Sequence, residues 1–247
     1  MPSLGLKNSV KSSVLSTPGI IRDGLVLKHD YIASSVVPVS DGAAYFNNDN
    51  DNIQFSTITL DSHGNGSVVF WAKRYEVSAS DTVIGNVAES AEGQIRFQAD
   101  GTIDFESDTN GDTAAVTLPV SGNNYDWHHY AFICTSGTLS AYQDGVSCSV
   151  SSAGMSDDMT LNVMGGDGTD GTGSNYAGYL CNVGLWSRAI ADTEVKSIMN
   201  KNYAGLTGGE SFNLISWWNL DTETNTSGEA GTGGVKDSEG TNHGTLS

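Results

Sequence analysis

Residues 125–146, which read Tyr-Asp-Trp-His-His-Tyr-Ala-Phe-Ile-Cys-Thr-Ser-Gly-Thr-Leu-Ser-Ala-Tyr-Gln-Asp-Gly-Val, restrict the fold more than any other stretch. From Trp127 to Cys134 almost every residue is aromatic, aliphatic or histidine, on both parities. Successive strand side chains point to opposite faces, so a strand apolar on both belongs inside a packed sheet. Thr135-Ser136-Gly137 supplies a turn, and Thr138–Gln143 returns as a second strand with Leu139, Ala141 and Gln143 sharing a face. Asp144-Gly145 predicts a tight hairpin, because Gly takes positive φ without steric cost. Val146 opens a third strand. A meander so placed is a core around which a sandwich closes.

Composition points the same way. A chain of 247 residues buries about 70% or more of its unfolded surface in one domain. Thirty Gly, four Pro and abundant Ser, Thr, Asn and Asp favour short strands joined by turns. Eleven basic residues against 29 acidic ones leave a formal net charge of −18. Binding phosphate requires clustered Lys and Arg, so nucleic acid and anionic membrane are excluded as partners. No apolar run approaches the roughly 18 residues of a membrane span. The Met1–Lys7 opening lacks the apolar stretch of a secretory signal, so a reducing cytosol is expected. Cys134 and Cys181 fall inside strand patterns and read as small buried side chains. Cys148 makes the count odd.

Residues 1–19 hold no sustained hydrophobic period and are expected to form an extended arm, ordered by a neighbouring subunit in a homo-oligomer. Residues 20–247 are expected to form one sandwich. Strands are expected at 24–29, 43–46, 53–55, 67–75, 82–86, 94–98, 102–106, 114–118, 159–164 and 176–186, besides the meander. One helix is expected, capped by Asp192, with Val195, Ile198 and Met199 on one face and its end near Asn202.

Three segments carry a family resemblance. Trp127-His128-His129-Tyr130-Ala131 followed by Leu139–Gly145 resembles the Trp-His-His and Asp-Gly pattern of laminin-G-like domains, within the concanavalin A-like lectin/glucanase group. Ser67-Val68-Val69-Phe70-Trp71-Ala72-Lys73 and Tyr176–Ile190 resemble flanking strands of the same family. The resemblance covers roughly residues 24–200 and implies an all-β fold: a concanavalin A-like jelly-roll β-sandwich of two antiparallel sheets with one short helix. Asn213–Asp221 with Lys236–Leu246 resembles the motif that opens such domains, yet here it closes the chain. Those residues are expected to dock as a strand pair on their own sandwich, because Trp217 and Trp218 are too apolar to stay loose. Asp23–Tyr31 with Val39–Phe46 resembles laminin-G-like structural proteins of marine tailed phages. That likeness implies a virion protein, made in the host cytoplasm, whose arm contacts other virion proteins and whose sandwich touches cell-surface glycans.

The sequence offers no catalytic residues. Glucanases of this fold carry a Glu-x-Asp-x-Glu strand that sets acid and nucleophile on one sheet face. Here Thr102-Ile103-Asp104-Phe105-Glu106 puts Thr where the nucleophile belongs. A glycoside hydrolase, or the sugar-binding appendage of one, stays as the alternative. His128 and His129 are adjacent on a strand, face opposite ways and cannot share a zinc ion. Calcium remains open. Asp167 and Asp170 in the Gly/Asp loop 165–173 supply hard oxygen ligands, against which stands a plain polar loop. For a sugar, the chemistry asks for an exposed aromatic ring and planar polar groups. Trp217, Trp218, Tyr125 and Tyr176 are the ligand-binding candidates, while Trp71, Trp127 and Trp186 read as core.

Overall fold

The computed structural model describes residues 37–48, 51–75, 80–87, 93–107, 112–166, 174–221 and 234–246. The expected arm (1–19) and first strand (24–29) lie outside the described residues. The first sheet contains β1 (Ala44–Asn47), β3 (Asn65–Arg74), β8 (His128–Thr135), β9 (Thr138–Gln143), β10 (Val146–Ser147), β13 (Ala177–Trp186) and β14 (Leu214–Trp218). The second contains β2 (Ile53–Leu60), β4 (Ser80–Gly85), β5 (Gln94–Gln98), β6 (Ile103–Glu106), β7 (Thr113–Thr117), β11 (Ser149–Ser151), β12 (Met159–Met164), β15 (Gly234–Val235) and β16 (Gly244–Leu246). Pairing is antiparallel in both sheets, as an all-β sandwich requires. The first runs β1-β13-β3-β8-β9-β10, with β14 also on β13; the second runs β11-β7-β6-β5-β4-β12-β2-β16-β15.

The central meander forms through two left-handed turns. Ser136 (φ 49°) and Gly137 (φ 72°) join β8 to β9, and Asp144 (φ 52°) and Gly145 (φ 73°) join β9 to β10. Positive φ at both turn residues matches the right-handed twist of the flanking strands. Asp144 then ties the turn back to β8. Its Oδ1 accepts the His129 amide at 2.9 Å, and its Oδ2 lies 2.6 Å from His128 Nδ1. The two halves of the Trp-His-His and Asp-Gly pattern thus bond to each other. β8 is buried at every position except Thr135, because both its faces are covered.

Between the sheets, rings interlock. Phe105 stacks on Phe132 at 5.7 Å, Phe97 meets Tyr130 edge-on at 5.3 Å, and Phe55 lies 4.8 Å from Trp218. Burying each such side chain contributes about 1.5–3 kcal/mol. Arg74 and Asp81 are also buried here and pair directly. Arg74 donates to Asn123 Oδ1 at 2.9 Å and stands 4.8 Å over the Phe97 ring, so its charge is met by both an anion and a π face. The three cysteines are free. Burial pushes the Cys134 and Cys181 thiols up to about 12, which leaves them as small apolar side chains.

β13 changes partner along its length. Residues 177–180 pair with β1 and residues 183–186 with β14. The change falls at a register shift between Cys181 and Gly184, where buried Asn182 adopts φ 50° and donates through Nδ2 to Val39 O at 3.0 Å. β14 is held from its other side by Asp237, which is 2% exposed. The Asp237 carboxylate accepts the amides of Trp217 (2.9 Å), Glu239 (3.1 Å) and Asn242 (3.1 Å). The Asp-Ser-Glu-Gly-Thr-Asn-His-Gly run of the C-terminus is therefore a carboxylate-centred clamp between β15 and β16. It ties the second sheet, where β16 pairs with β2, to β14 of the first.

The helix α1 spans Asp192–Ile198, shorter than expected, with Met199 at its C-terminal cap and a separate 3₁₀ turn at Tyr203–Gly205. Asp192 does not cap it. The residue before the helix is Ala191, whose amide donates to Glu194 Oε2 at 2.8 Å, so Glu194 reaches back to do the capping. Val195 and Ile198 pack with Trp186, Trp217, Val69 and Ile133 in a second apolar cluster, on the outer face of the first sheet. Arg188 fastens this layer: it forks onto Glu194 at 2.8 and 2.6 Å and donates to the carbonyls of Phe212 and Gly209.

Candidate functional site

The four aromatic residues named from the sequence as sugar contacts separate in the structure. Trp217 is 1% exposed and Trp218 0%, on opposite faces of β14. Trp218 faces the space between the sheets, and Trp217 lies under the layer formed by α1 and its flanking loops. Neither tryptophan is open to a ligand, because each face of β14 has its own cover. Tyr176 is also fully buried, edge-on to Phe46, with its hydroxyl donating to Tyr179 O at 3.2 Å. Burial drives its phenol well above the ordinary range. A ring enclosed on every side cannot stack on a sugar, so these three are structural. Tyr125 alone of the four is exposed, at 50%. Asp167 and Asp170 lie outside the described residues.

The structure gathers a different set of rings. On β1, Phe46 turns into the core and Tyr45 therefore turns out. On β13, Tyr179 stands directly across from Tyr45 and from Lys73 of β3. The Tyr45 and Tyr179 rings are 5.1 Å apart, Tyr75 stacks on Tyr45 at 5.6 Å, and Trp127 reaches Tyr179 at 6.2 Å. Tyr45 Oη donates to Tyr75 Oη at 3.2 Å. Four rings thus form a continuous row, in which Tyr45 is 50% exposed, Tyr75 37% and Tyr179 36%. Trp127 is half-buried rather than core. Beside Tyr45 opens a cleft of about 310 Å³, lined by Ala44, Asp51, Asn52, Ile53 and Leu246 among others. Rings offer faces for the C–H side of a sugar, and a carboxylate and an amide beside them can meet its hydroxyls.

Sequence reasoning missed Tyr45, Tyr75 and Tyr179. The alternation of Tyr45 with Phe46 marks one of them as outward, but three strands distant in sequence must be brought together before a row exists.

The acidic strand β6 does something else. Asp104 and Glu106 share a face with Arg96 of β5, which lies 3.7 Å from one carboxylate and 3.3 Å from the other. Gln94 donates to Glu106 at 2.9 Å, and Gln98 donates to Asp104. Burial raises the Asp104 carboxyl, while Arg96 and Gln98 partly offset it. Thr102, at the nucleophile position of the glucanase pattern, bonds Asp100 across a turn at 2.7 Å. The arrangement is a polar ladder that ties β5 to β6. Among the described residues, no three His, Cys, Asp or Glu side chains gather as a metal site.

A laminin-G family model, described as concanavalin A-like lectin/glucanases superfamily, matches residues 47–196. The chain belongs to this superfamily. The matched segment holds the meander, β13 and most of α1, whereas Tyr45 and the whole C-terminal clamp lie outside it. No curated protein matches the chain. Among solved structures, a Bacteroides ovatus protein, whose carbohydrate binding is itself an inference, superposes with a TM-score of 0.64 at 17% identity. That match covers 85% of this chain and 58% of the Bacteroides protein, so the chain spans little more than half of it. A heptameric pentraxin from Limulus polyphemus aligns with a TM-score of 0.51 at 15% identity, over 66% of this chain and 84% of the pentraxin. At these identities the likeness concerns the fold.

Proposed function

We propose that this chain is a non-catalytic glycan-binding module. The observation that carries the reading is the ring row Trp127–Tyr179–Tyr45–Tyr75, its three tyrosines exposed, beside a cleft lined by Asp51 and Asn52. A sandwich normally hides such rings or covers them with a partner, and a contiguous exposed set marks a binding surface. The lectin-like fold of the superfamily and the carbohydrate binding inferred for the Bacteroides protein agree with it. Against catalysis stands the ladder on β6, where Arg96 sits between the two carboxylates. The test is a glycan array probed with the intact chain and with Tyr45→Ala and Tyr179→Ala. Signals present for the intact chain and lost in both variants support the reading; signals unchanged in both variants end it.

The setting proposed for this module is a tailed-phage virion, on capsid or tail, with copies of the chain assembling through residues 1–19. Support comes from the likeness of residues 23–31 and 39–46 to virion laminin-G-like proteins. An antibody to this chain, applied to purified particles in negative stain, should decorate them. Removing residues 1–19 should leave a folded sandwich that no longer assembles; assembly at the intact level would end that part of the reading.

A further inference from the structure

The platform of aromatic rings has one charged member. Lys73 occupies β3 directly across from Tyr179, which in turn faces Tyr45, so the three side chains stand in line across adjacent strands. Two strand spacings, about 10 Å, separate the ends of that line. This is the reach of two linked sugar rings. On its other side, the β3–β8 register ends at Ala72 opposite His128, and Trp127 is the next residue along. Lys73 is therefore set between Tyr179 and Trp127, whose rings come within 6.2 Å of each other.

Its charge is unanswered. Arg74 pairs with Asp81, Arg96 with Asp104 and Glu106, Arg188 with Glu194 and Lys201 with Glu210, whereas Lys73 has no ion pair or side-chain hydrogen bond among the described residues. In a chain with 29 acidic residues and 11 basic ones, a half-buried lysine without a carboxylate is conspicuous. Acidic groups are not missing from the neighbourhood, since Asp51 lines the cleft beyond Tyr45. That carboxylate stands at the opposite end of the line. The surface thus runs from a carboxylate-and-amide cleft, over two tyrosine rings, to a lone cation.

We infer that the glycan bound on this platform is an anionic polysaccharide, with its carboxylate or sulfate on Lys73 and its neutral hydroxyls toward Asp51 and Asn52. The inference rests on the glycan-binding reading above. The protein's net charge works against approach of a polyanion at low salt, but the Debye length of about 8 Å at physiological ionic strength screens most of that repulsion. Contact then depends on the local pair and the rings. Lys73 is half-buried, so an anion that reaches it is shielded from part of the solvent that weakens an ion pair at an open surface.

The test is affinity electrophoresis of the intact chain at 0.15 M salt, in gels holding alginate, carrageenan or laminarin. Alginate presents carboxylates, carrageenan presents sulfates, and laminarin is neutral. Retardation is expected in one anionic gel and not in laminarin, and the gel that retards identifies which anion is taken. Lys73→Met, which keeps the stem and removes the charge, should weaken that retardation about fivefold, the scale of one partly exposed ion pair. Lys73→Arg should retain most of it. Lys196→Met removes the same charge from α1, outside the platform, and should change nothing. Equal retardation by laminarin, or a Lys73→Met variant that binds like the intact chain, overturns the anionic assignment and leaves the platform standing. If no gel retards the chain and the glycan array is silent, the platform reading falls and takes this one with it. If Tyr179→Ala instead dissociates an oligomer, the rings are a subunit contact and both readings are wrong.

Discussion

The outer face of the first sheet carries aromatic side chains at both ends, and the two ends behave differently. At one end Trp186 and Trp217 cross at 6.0 Å beneath α1 and the loops around it. At the other, Tyr45 touches both Tyr75 and Tyr179, and all three rings reach solvent. Both sets lie on the same sheet, and both come from strands that alternate or run apolar. What separates them is the 187–213 segment, which lays Ile190, Val195 and Ile198 over one end and stops. Trp71 and His129 mark the border: their rings meet at 5.4 Å, and Trp71 Nε1 donates to Met199 O, just past the helix. An aromatic residue in a strand therefore says that a face is sticky, and the covering element decides whether it becomes core or surface.

That contrast breaks most visibly at the tryptophans of β14. Trp217→Ala and Trp218→Ala should each cost about 3–5 kcal/mol, the usual range for truncating a buried Trp, read by denaturant unfolding. Because β14 pairs with β13 of its own chain, the loss should not depend on protein concentration. A loss confined to an assembled form would move residues 210–247 into an exchanged arm.

The border residue gives a pH test. Burial lowers the His129 imidazole to about 3, Asp144 offsetting only part of this. An unfolded His binds its proton near pH 6.5, so the unfolded chain gains protons that the native one refuses. Stability should accordingly be full above pH 6.5 and fall as pH drops toward 3, by about 1.4 kcal/mol per unit once below 6.5. Glu210 adds a second acid-labile contribution lower down. Burial raises its carboxyl, but bonds from Lys201, Ser197 and Thr207 outweigh that and hold it at about 2. Its share is lost only as pH falls from the ordinary carboxylate range toward 2. Unfolding measured between pH 6.5 and 5, with His129→Gln as the comparison, isolates the histidine; equal slopes in both proteins would contradict it.

A smaller effect is expected from loosening the cover itself. Arg188→Ala removes the fork to Glu194 and the bonds to Phe212 and Gly209, and should cost about 1–3 kcal/mol, as charged hydrogen bonds do. Hydrogen exchange should rise in 187–213 and not in the meander. The smallest effect on stability belongs to the open end. Tyr45→Ala should stay within about 0.5 kcal/mol, the ordinary range for a surface substitution, while abolishing glycan binding. A Tyr45→Ala protein that melts like the tryptophan variants would mean that the open end is covered after all.

Much of this was legible before any coordinate. The two-faced strand 127–134, the Asp144-Gly145 hairpin and the family pattern determine a concanavalin A-like sandwich, because periodicity and turn chemistry act over a few residues. The purpose of Asp144 could almost be read there, since a hairpin brings it back beside His128 and His129. The position of the helix was legible, but its capping was not: Asp192 and Glu194 are both plausible from spacing, and the backbone at Ala191 chose Glu194. What only the tertiary structure decided is which aromatic side chains meet solvent. Trp217 and Trp218 alternate like any strand pair, yet both are buried, since β14 lies between the partner sheet and the α1 layer. Tyr45, Tyr179 and Lys73 are separated by 28 to 134 positions, and they meet because antiparallel pairing sets β1, β13 and β3 side by side. Local sequence determines which face a side chain takes; what lies against that face is contributed by residues far along the chain, and only their packing settles it.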